Sequence, residues 1–346
     1  MTQEITIRRP DDWHLHLRDG DILNEVASFT VKHFSRAIVM PNLVPPVTNG
    51  RLANEYRQRI VEAANDQRFT PLMTIYLTDN TDPSEVREAF EAGDITAAKM
   101  YPAGATTNAD AGVTDVKKIY PLIDVMQSIG MPLLIHGEVV GHEYDVFDRE
   151  KIFVDTILSA MHDAFPEQKI VLEHVTTADG VDFVKGASKL VAATITPHHL
   201  MVNRTTMFQG GIRPHLYCLP IAKRREHQLA LRKAATSPST KFFLGTDSAP
   251  HAEGDKQSAC GCAGIFNAGT AMACYAQVFD EENALEHLER FASLNGPAFY
   301  GMPPNDDFIT LRKLDAPVAT PAPVGSERIH QFLPDTPVHW QVVDAS

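Results

Sequence analysis

Eight short apolar runs recur in order along this 346-residue chain, at residues 13–17, 36–40, 72–77, 96–101, 133–136, 170–174, 190–196 and 242–247. Between most of them lie segments with helical periodicity, at 52–64, 84–92, 116–129, 149–164, 178–185 and 223–235. Asp82-Pro83-Ser84-Glu85 and Thr114-Asp115 read as helix starts, and Gly93, Gly130 and Gly186 sit where helices should stop. Several of the strands are apolar throughout instead of alternating, as expected for a parallel sheet buried on both faces. Eight strand-then-helix units predict a (β/α)8 TIM barrel, although a doubly wound open sheet reads alike locally.

The chemistry at the ends of the runs separates the two. His14 and His16 are two positions apart, so on an extended strand both rings share one face. Three further runs end on metal-ligand side chains: Pro132-Leu-Leu-Ile-His136, Lys169-Ile-Val-Leu-Glu-His174 and Lys241-Phe-Phe-Leu-Gly-Thr-Asp247. A closed barrel brings all strand C-termini to one mouth, whereas an open sheet holds its first and last strands apart. The barrel is therefore expected, with the ligands converging.

Fifteen histidines occur, and most are read as surface or packing residues. His198-His199, at the end of the seventh run, is assigned a supporting or packing role instead of a third metal site. Lys99 stands among small apolar residues, where an ammonium is costly to bury unless paired or modified. Its alternatives are a salt bridge, a stem reaching to the mouth, or reaction of the free amine with carbon dioxide to an anionic carbamate that bridges two cations.

A formal charge of −13 argues against a general nucleic-acid binder, which needs a basic surface, but leaves room for a small anionic substrate. With no secretory pattern at the start and no run of membrane-spanning length, the expected location is the cytoplasm, without a membrane partner. Four cysteines, at 218, 260, 262 and 274, lack zinc-knuckle spacing and are read as free thiols. One domain spans 1–346, with a barrel core at about 10–301 and a proline-rich wrapping tail over 302–346. Prolines between 303 and 337 argue against a continuous regular element there. Alternation at Ile5 and Ile7, and at Val338, Trp340 and Val342, predicts short strands outside the barrel.

The motifs Trp13-His-Leu-His-Leu-Arg-Asp-Gly20, Met40-Pro-Asn42, Ala98-Lys-Met-Tyr-Pro102, His136-Gly-Glu138, Glu173-His174, Gly211-Ile-Arg-Pro-His215 and Gly245-Thr-Asp-Ser-Ala-Pro-His251 resemble the amidohydrolase superfamily. Within it they are most similar to the shorter, single-domain bacterial dihydroorotases. The resemblance implies two zinc ions per chain. His14, His16 and Asp247 would hold one, His136 and His174 the other, with carboxylated Lys99 and a hydroxide as bridges.

It further implies reversible cyclisation of N-carbamoyl-L-aspartate to L-dihydroorotate in pyrimidine biosynthesis, with Asp247 as general acid and base. Arg18, whose neighbours Asp19 and Asp21 are also possible partners, resembles a clamp for the substrate carboxylate together with Asn42 and His251. Backbone groups near Leu219 and Ala263 would hold the ring amide edge. Thr106 and Thr107, in the small polar loop 103–112, resemble lid residues that place hydroxyls on the carboxylate. Glu138 is a candidate to orient a ligand, and Tyr101 to support the Lys99 carbamate. The resemblance also implies a homodimer. Two other readings stay open: another cyclic-amide hydrolase of the hydantoinase or allantoinase kind, which has no need of the Arg18, Asn42 and His251 clamp, and a metal-binding scaffold barrel without catalysis.

Overall fold

The computed structural model describes residues 3–343, and its strands number eleven among them. These are β1 (Glu4–Arg8), β2 (Asp12–Leu15), β3 (Arg36–Val39), β4 (Thr70–Tyr76), β5 (Ala97–Met100), β6 (Leu133–Ile135), β7 (Ile170–Leu172), β8 (Val191–Ile195), β9 (Phe242–Leu244), β10 (Phe308–Lys313) and β11 (Trp340–Val343). Strands β2 to β9 pair in parallel and in sequence order. The ring closes where the Asp247 amide donates to the His14 carbonyl at 2.8 Å and the His16 amide to the Ser248 carbonyl at 2.9 Å. The expected (β/α)8 barrel is the observed fold.

Alternation along each strand divides the core. Trp13, Ile38, Leu72, Ala97, Leu134, Val171, Ala192 and Phe243 form one cluster with one member from each barrel strand, and so fill the interior near its base. Phe299, Tyr300 and Met302 plug that end, with Tyr300 stacked on Trp13 at 4.4 Å between ring centroids. Their neighbours on the strands, such as Leu133, Ile135, Ile170, Leu172 and Leu244, belong to the larger cluster packed under the surrounding helices. Two residues above the interior cluster, period two therefore aims Lys99, His136, Glu173 and Thr194 inward. In β2 a register irregularity between Asp12 and Leu15 interrupts the period. It lets both Trp13 and His14 face inward, a common use of a bulge beside a functional site.

The helix starts follow local chemistry: Asp82 accepts from the Ser84 amide at 2.7 Å with Pro83 in the first turn, and Gly130 ends its helix at φ 69°. No helix among the described residues is long and apolar enough to cross a membrane.

Outside the barrel, β1, β10 and β11 form an antiparallel sheet in the order β1-β10-β11. The two terminal strands stand where the alternation of Ile5 and Ile7, and of Trp340 and Val342, placed them. Strand β10 is a short regular element within the proline-rich stretch 302–337, one that the sequence reading did not single out. It fits because the interval between Pro304 and Pro317 contains no proline, so all its amides can join a ladder.

Candidate active site

Three side-chain atoms at the closure of the barrel form a small triangle. His14 Nε2 and His16 Nε2 are 3.4 Å apart, and each lies 3.2 Å from Asp247 Oδ1. Tetrahedral zinc with bonds of about 2.0–2.1 Å to nitrogen and oxygen spaces its ligand atoms about 3.3–3.4 Å apart, so the donor set fits one metal ion as it stands. Asn42 Oδ1 accepts from His16 Nδ1 at 2.8 Å, which fixes the tautomer that leaves Nε2 free as a ligand.

The second pair of histidines adjoins the first. Ring centroids are 4.8 Å apart for His14 and His174, and 4.9 Å for His136 and His174. The donor atoms of His14, His174 and Asp247 all lie within 4.8 Å of one another. His174 Nδ1 is buried without a partner, an arrangement that wants a cation or a water. Glu138 Oε2 lies 2.8 Å from His136 Nε2, so Glu138 orients that ring and leaves Nδ1 as its other ligand atom.

Lys99 is wholly buried; its ammonium pairs with Glu173 and lies 4.8 Å from the centroid of the Tyr101 ring. Glu173 Oε1 is also 3.0 Å from His14 Nδ1, out of line for a hydrogen bond. Sequence reading used Glu173 only as part of a motif and assigned it no role. The available signal was period two along β7, which puts it in the barrel interior opposite a lysine that needs an anion. Asp12 was missed as well. It accepts from the Thr246 hydroxyl at 2.5 Å, the Thr246 amide at 2.8 Å and the His14 amide at 3.2 Å, tying the two segments that carry the triangle.

Burial and charge set the protonation states. Burial pushes His16 down to about 4, helped by Arg18 and against the pull of Asp247, and pushes His174 well below the ordinary imidazole value. Both rings are thus neutral near pH 7, the form that binds metal. Burial would lower His14 too, but the Glu173 and Asp247 carboxylates outweigh it and raise the ring to about 9. Burial would raise Asp247, but His14 and the hydrogen bonds from both imidazoles hold it well below the carboxylate range. Burial likewise lowers Lys99 while Glu173 pulls the other way.

Strain marks the same places. Arg18, His174 and Asp247 hold positive φ values of 58°, 41° and 46° although none is glycine. Gly245 is obligatory for a different reason: a Cβ there would come within 2.7 Å of Thr194 Cβ and 3.1 Å of His14 Cβ.

Above the triangle, His14, His16, Arg18, Asn42, Thr106, Thr107, His136, His174, Leu219, Asp247 and Ala263 all line one narrow cavity. Arg18 Nη2 donates to His251 Nε2 at 2.9 Å, and Arg18 Nε to the Pro250 carbonyl at 3.2 Å. Burial and the Arg18 charge keep His251 neutral, lowered to about 2, so its Nε2 can accept. Asn42 is engaged on both sides, by His16 and through Nδ2 by the Thr107 carbonyl at 3.1 Å. The loop 103–112 lies across the mouth, where the Thr107 hydroxyl donates to the Ala263 carbonyl at 3.3 Å and Asn108 Nδ2 to the Asn42 carbonyl at 3.1 Å. Thr106 lines the cavity from the same loop. His198 and His199 fall on the short helix Pro197–Met201, where His199 bonds Thr196 and the Pro220 carbonyl and His198 bonds Asn267.

The sequence profile of the amidohydrolase family matches residues 11–305. The chain is 56% identical over 338 residues to a dihydroorotase of Vibrio cholerae, covering 98% of this chain and 99% of that one. Among solved structures, a dihydroorotase of Saccharomyces cerevisiae in complex with 5-fluoroorotic acid superposes with a TM-score of 0.89 at 33% identity, covering 99% of this chain and 98% of that one. An L-hydantoinase of Arthrobacter aurescens, at 16% identity and a TM-score of 0.79 over 97% of this chain and 82% of its own, shares the fold. The chain belongs to the amidohydrolase family and, within it, to the dihydroorotases.

Proposed function

We propose that this chain catalyses the reversible cyclisation of N-carbamoyl-L-aspartate to L-dihydroorotate, a hydrolysis of a cyclic amide C–N bond when run toward the open form. The observation that carries the reading is the triangle of His14, His16 and Asp247 in one cavity with Arg18, whose guanidinium is backed by His251 from outside that cavity. His14, His16 and Asp247 would hold one zinc ion, His136 and His174 a second, and Lys99, carboxylated on Nζ, would bridge them with a hydroxide. Such a pair of ions supplies a hydroxide nucleophile at neutral pH and polarises the amide carbonyl.

Conversion of Lys99 from a cation to an anion removes the partner of Glu173. That carboxylate would then be free to turn onto His14 Nδ1, 3.0 Å away, and orient the imidazole for ligation. Asp247, ionised and at the mouth, accepts a proton and returns it to the departing ring nitrogen; in the reverse direction it takes the proton of the ureido nitrogen. The Arg18 guanidinium, braced by His251 and Pro250, presents its remaining donors to the substrate carboxylate, joined by Asn42 and by the Thr106 and Thr107 hydroxyls once the lid contacts are exchanged for substrate. The backbone at Leu219 and Ala263 would take the ring amide edge.

A homodimer is the expected form by resemblance to the dihydroorotases, and the cytoplasm is the location expected from the sequence patterns. Zinc analysis together with a dihydroorotate assay tests the reading. About two ions per chain with turnover supports it, and metal-replete protein without turnover refutes it. Arg18→Ala should abolish most dihydroorotate turnover while zinc content survives; unchanged turnover would favour a hydantoinase-like activity instead.

A further inference from the structure

Lys256 is buried to 4% exposure, and among the described residues no carboxylate forms an ion pair with it. Its ammonium donates instead to three backbone carbonyls: Tyr217 at 2.8 Å, Cys262 at 2.9 Å and Gly264 at 2.7 Å. A lysine ammonium has three hydrogens on a compact tetrahedral head, and here each finds one carbonyl. The acceptors come from two loops about forty-five residues apart in sequence, and the loops are also joined directly, because the Gly264 amide donates to the same Tyr217 carbonyl at 3.0 Å.

Both loops reach the mouth within two residues of these anchors. Leu219, Ala263 and Gly264 line the cavity above the ligand triangle. Gly264, at φ 148°, presses so closely on the imidazole of His251 that a Cβ would stand 2.7 Å from its Cδ2. Without the ammonium, the Cys262 and Gly264 carbonyls lose that donor, the Tyr217 carbonyl keeps only the Gly264 amide, and that amide is the one backbone hydrogen bond left between the loops.

We propose that Lys256 is a positioning residue for the substrate: its ammonium clamps the 217–219 and 262–264 backbones together so that Leu219 and Ala263 meet the ring edge in register and Gly264 holds His251 in place behind Arg18. This rests on the dihydroorotate reading for the identity of the substrate, but the clamp itself is independent of it. The residue touches neither substrate nor the metal ligands, so its effect falls on substrate affinity.

The test uses full-length Lys256→Met, which keeps the stem and removes the donors, with Lys256→Gln as a second variant should the first not be recovered folded. Expected are a KM for dihydroorotate raised about tenfold, corresponding to ~1.4 kcal/mol of lost binding, with kcat within about threefold of the parent and zinc content unchanged. Amide hydrogen exchange should speed up in 215–220 and 257–266 together, while the barrel strands keep their protection. An unchanged KM, or unchanged exchange in both loops, overturns the proposal. Recovery of neither variant in folded form also overturns it, in favour of a role in folding. Should the parent protein not turn over dihydroorotate, the functional reading fails, and the exchange measurement still decides the clamp.

Discussion

The Asp247 amide donates to the His14 carbonyl at 2.8 Å while its carboxylate stands 3.2 Å from His14 Nε2, so one pair of residues both closes the barrel and spaces the atoms proposed to hold a metal. The backbone bond survives a side-chain change. Asp247→Asn should therefore fold like the parent by circular dichroism yet lose about a hundredfold or more in kcat, since an amide can neither carry the proton nor ligate as an anion.

Gly245 is the space that this closure needs. Gly245→Ala puts a methyl 2.7 Å from Thr194 Cβ and 3.1 Å from His14 Cβ, and overpacking of this kind costs about 1–3 kcal/mol. A lower urea midpoint with unchanged m-value should accompany reduced zinc retention, because relief of the clash moves His14.

Lys99 and Glu173 are buried partners, so removing either alone strands the other. In metal-free protein, Lys99→Met and Glu173→Gln should each destabilise by about 3–5 kcal/mol, and the double variant by clearly less than the sum. Additive losses in a denaturant-based double-mutant cycle would show that the pair is not coupled. Zinc content should collapse in Lys99→Met whether or not the fold is recovered by the second substitution.

Among the contacts that hold loop 103–112 across the mouth, the Thr107 hydroxyl supplies the one on the Ala263 carbonyl. Thr107→Val keeps the shape of the side chain and removes that donor, along with any hydrogen bond to substrate. A loss of about 1 kcal/mol per hydrogen bond predicts a KM about fivefold higher. Steady-state kinetics at saturating zinc checks this, and an unchanged KM would place the loop outside the reaction.

Acid weakens one tie behind the lid. Asp79 accepts from Lys118 Nζ at 2.7 Å, the Thr114 hydroxyl at 2.6 Å and the Thr114 amide at 2.8 Å, which lower its carboxyl from 3.8 to about 2. The unfolded chain binds this proton more readily than the folded one, so the stabilisation is complete above about pH 5 and drains away as the pH falls toward 2. The Tm gap between the parent and Asp79→Asn should be largest near neutrality and narrow steadily below about pH 4.

Position along the strands was readable because it depends on neighbours two residues away. Apolar runs buried on both faces declared the eight barrel strands, and the polar residue ending a run declared its place at the mouth, which is why His14, His16, His136, His174 and Asp247 could be picked from the chain. The strand β10 escaped because prolines on either side of it masked a proline-free interval that is a strand only when β1 and β11 pair with it.

What depended on the closed barrel was invisible to periodicity. The stagger of neighbouring strands decides that Glu173, not solvent or a second metal ligand, meets Lys99, and that Asp12 ties Thr246 to His14. Loop packing decides that Asn42 serves His16 and the lid at once, and that Lys256 gathers carbonyls from two distant loops. Local sequence thus determined the kind of side chain a strand delivers to the mouth, because side-chain chemistry and alternation are properties of a few consecutive residues. Only the tertiary structure settled which groups satisfy one another, because buried charges and carbonyls take their partners from whatever the packed chain brings within about 3 Å.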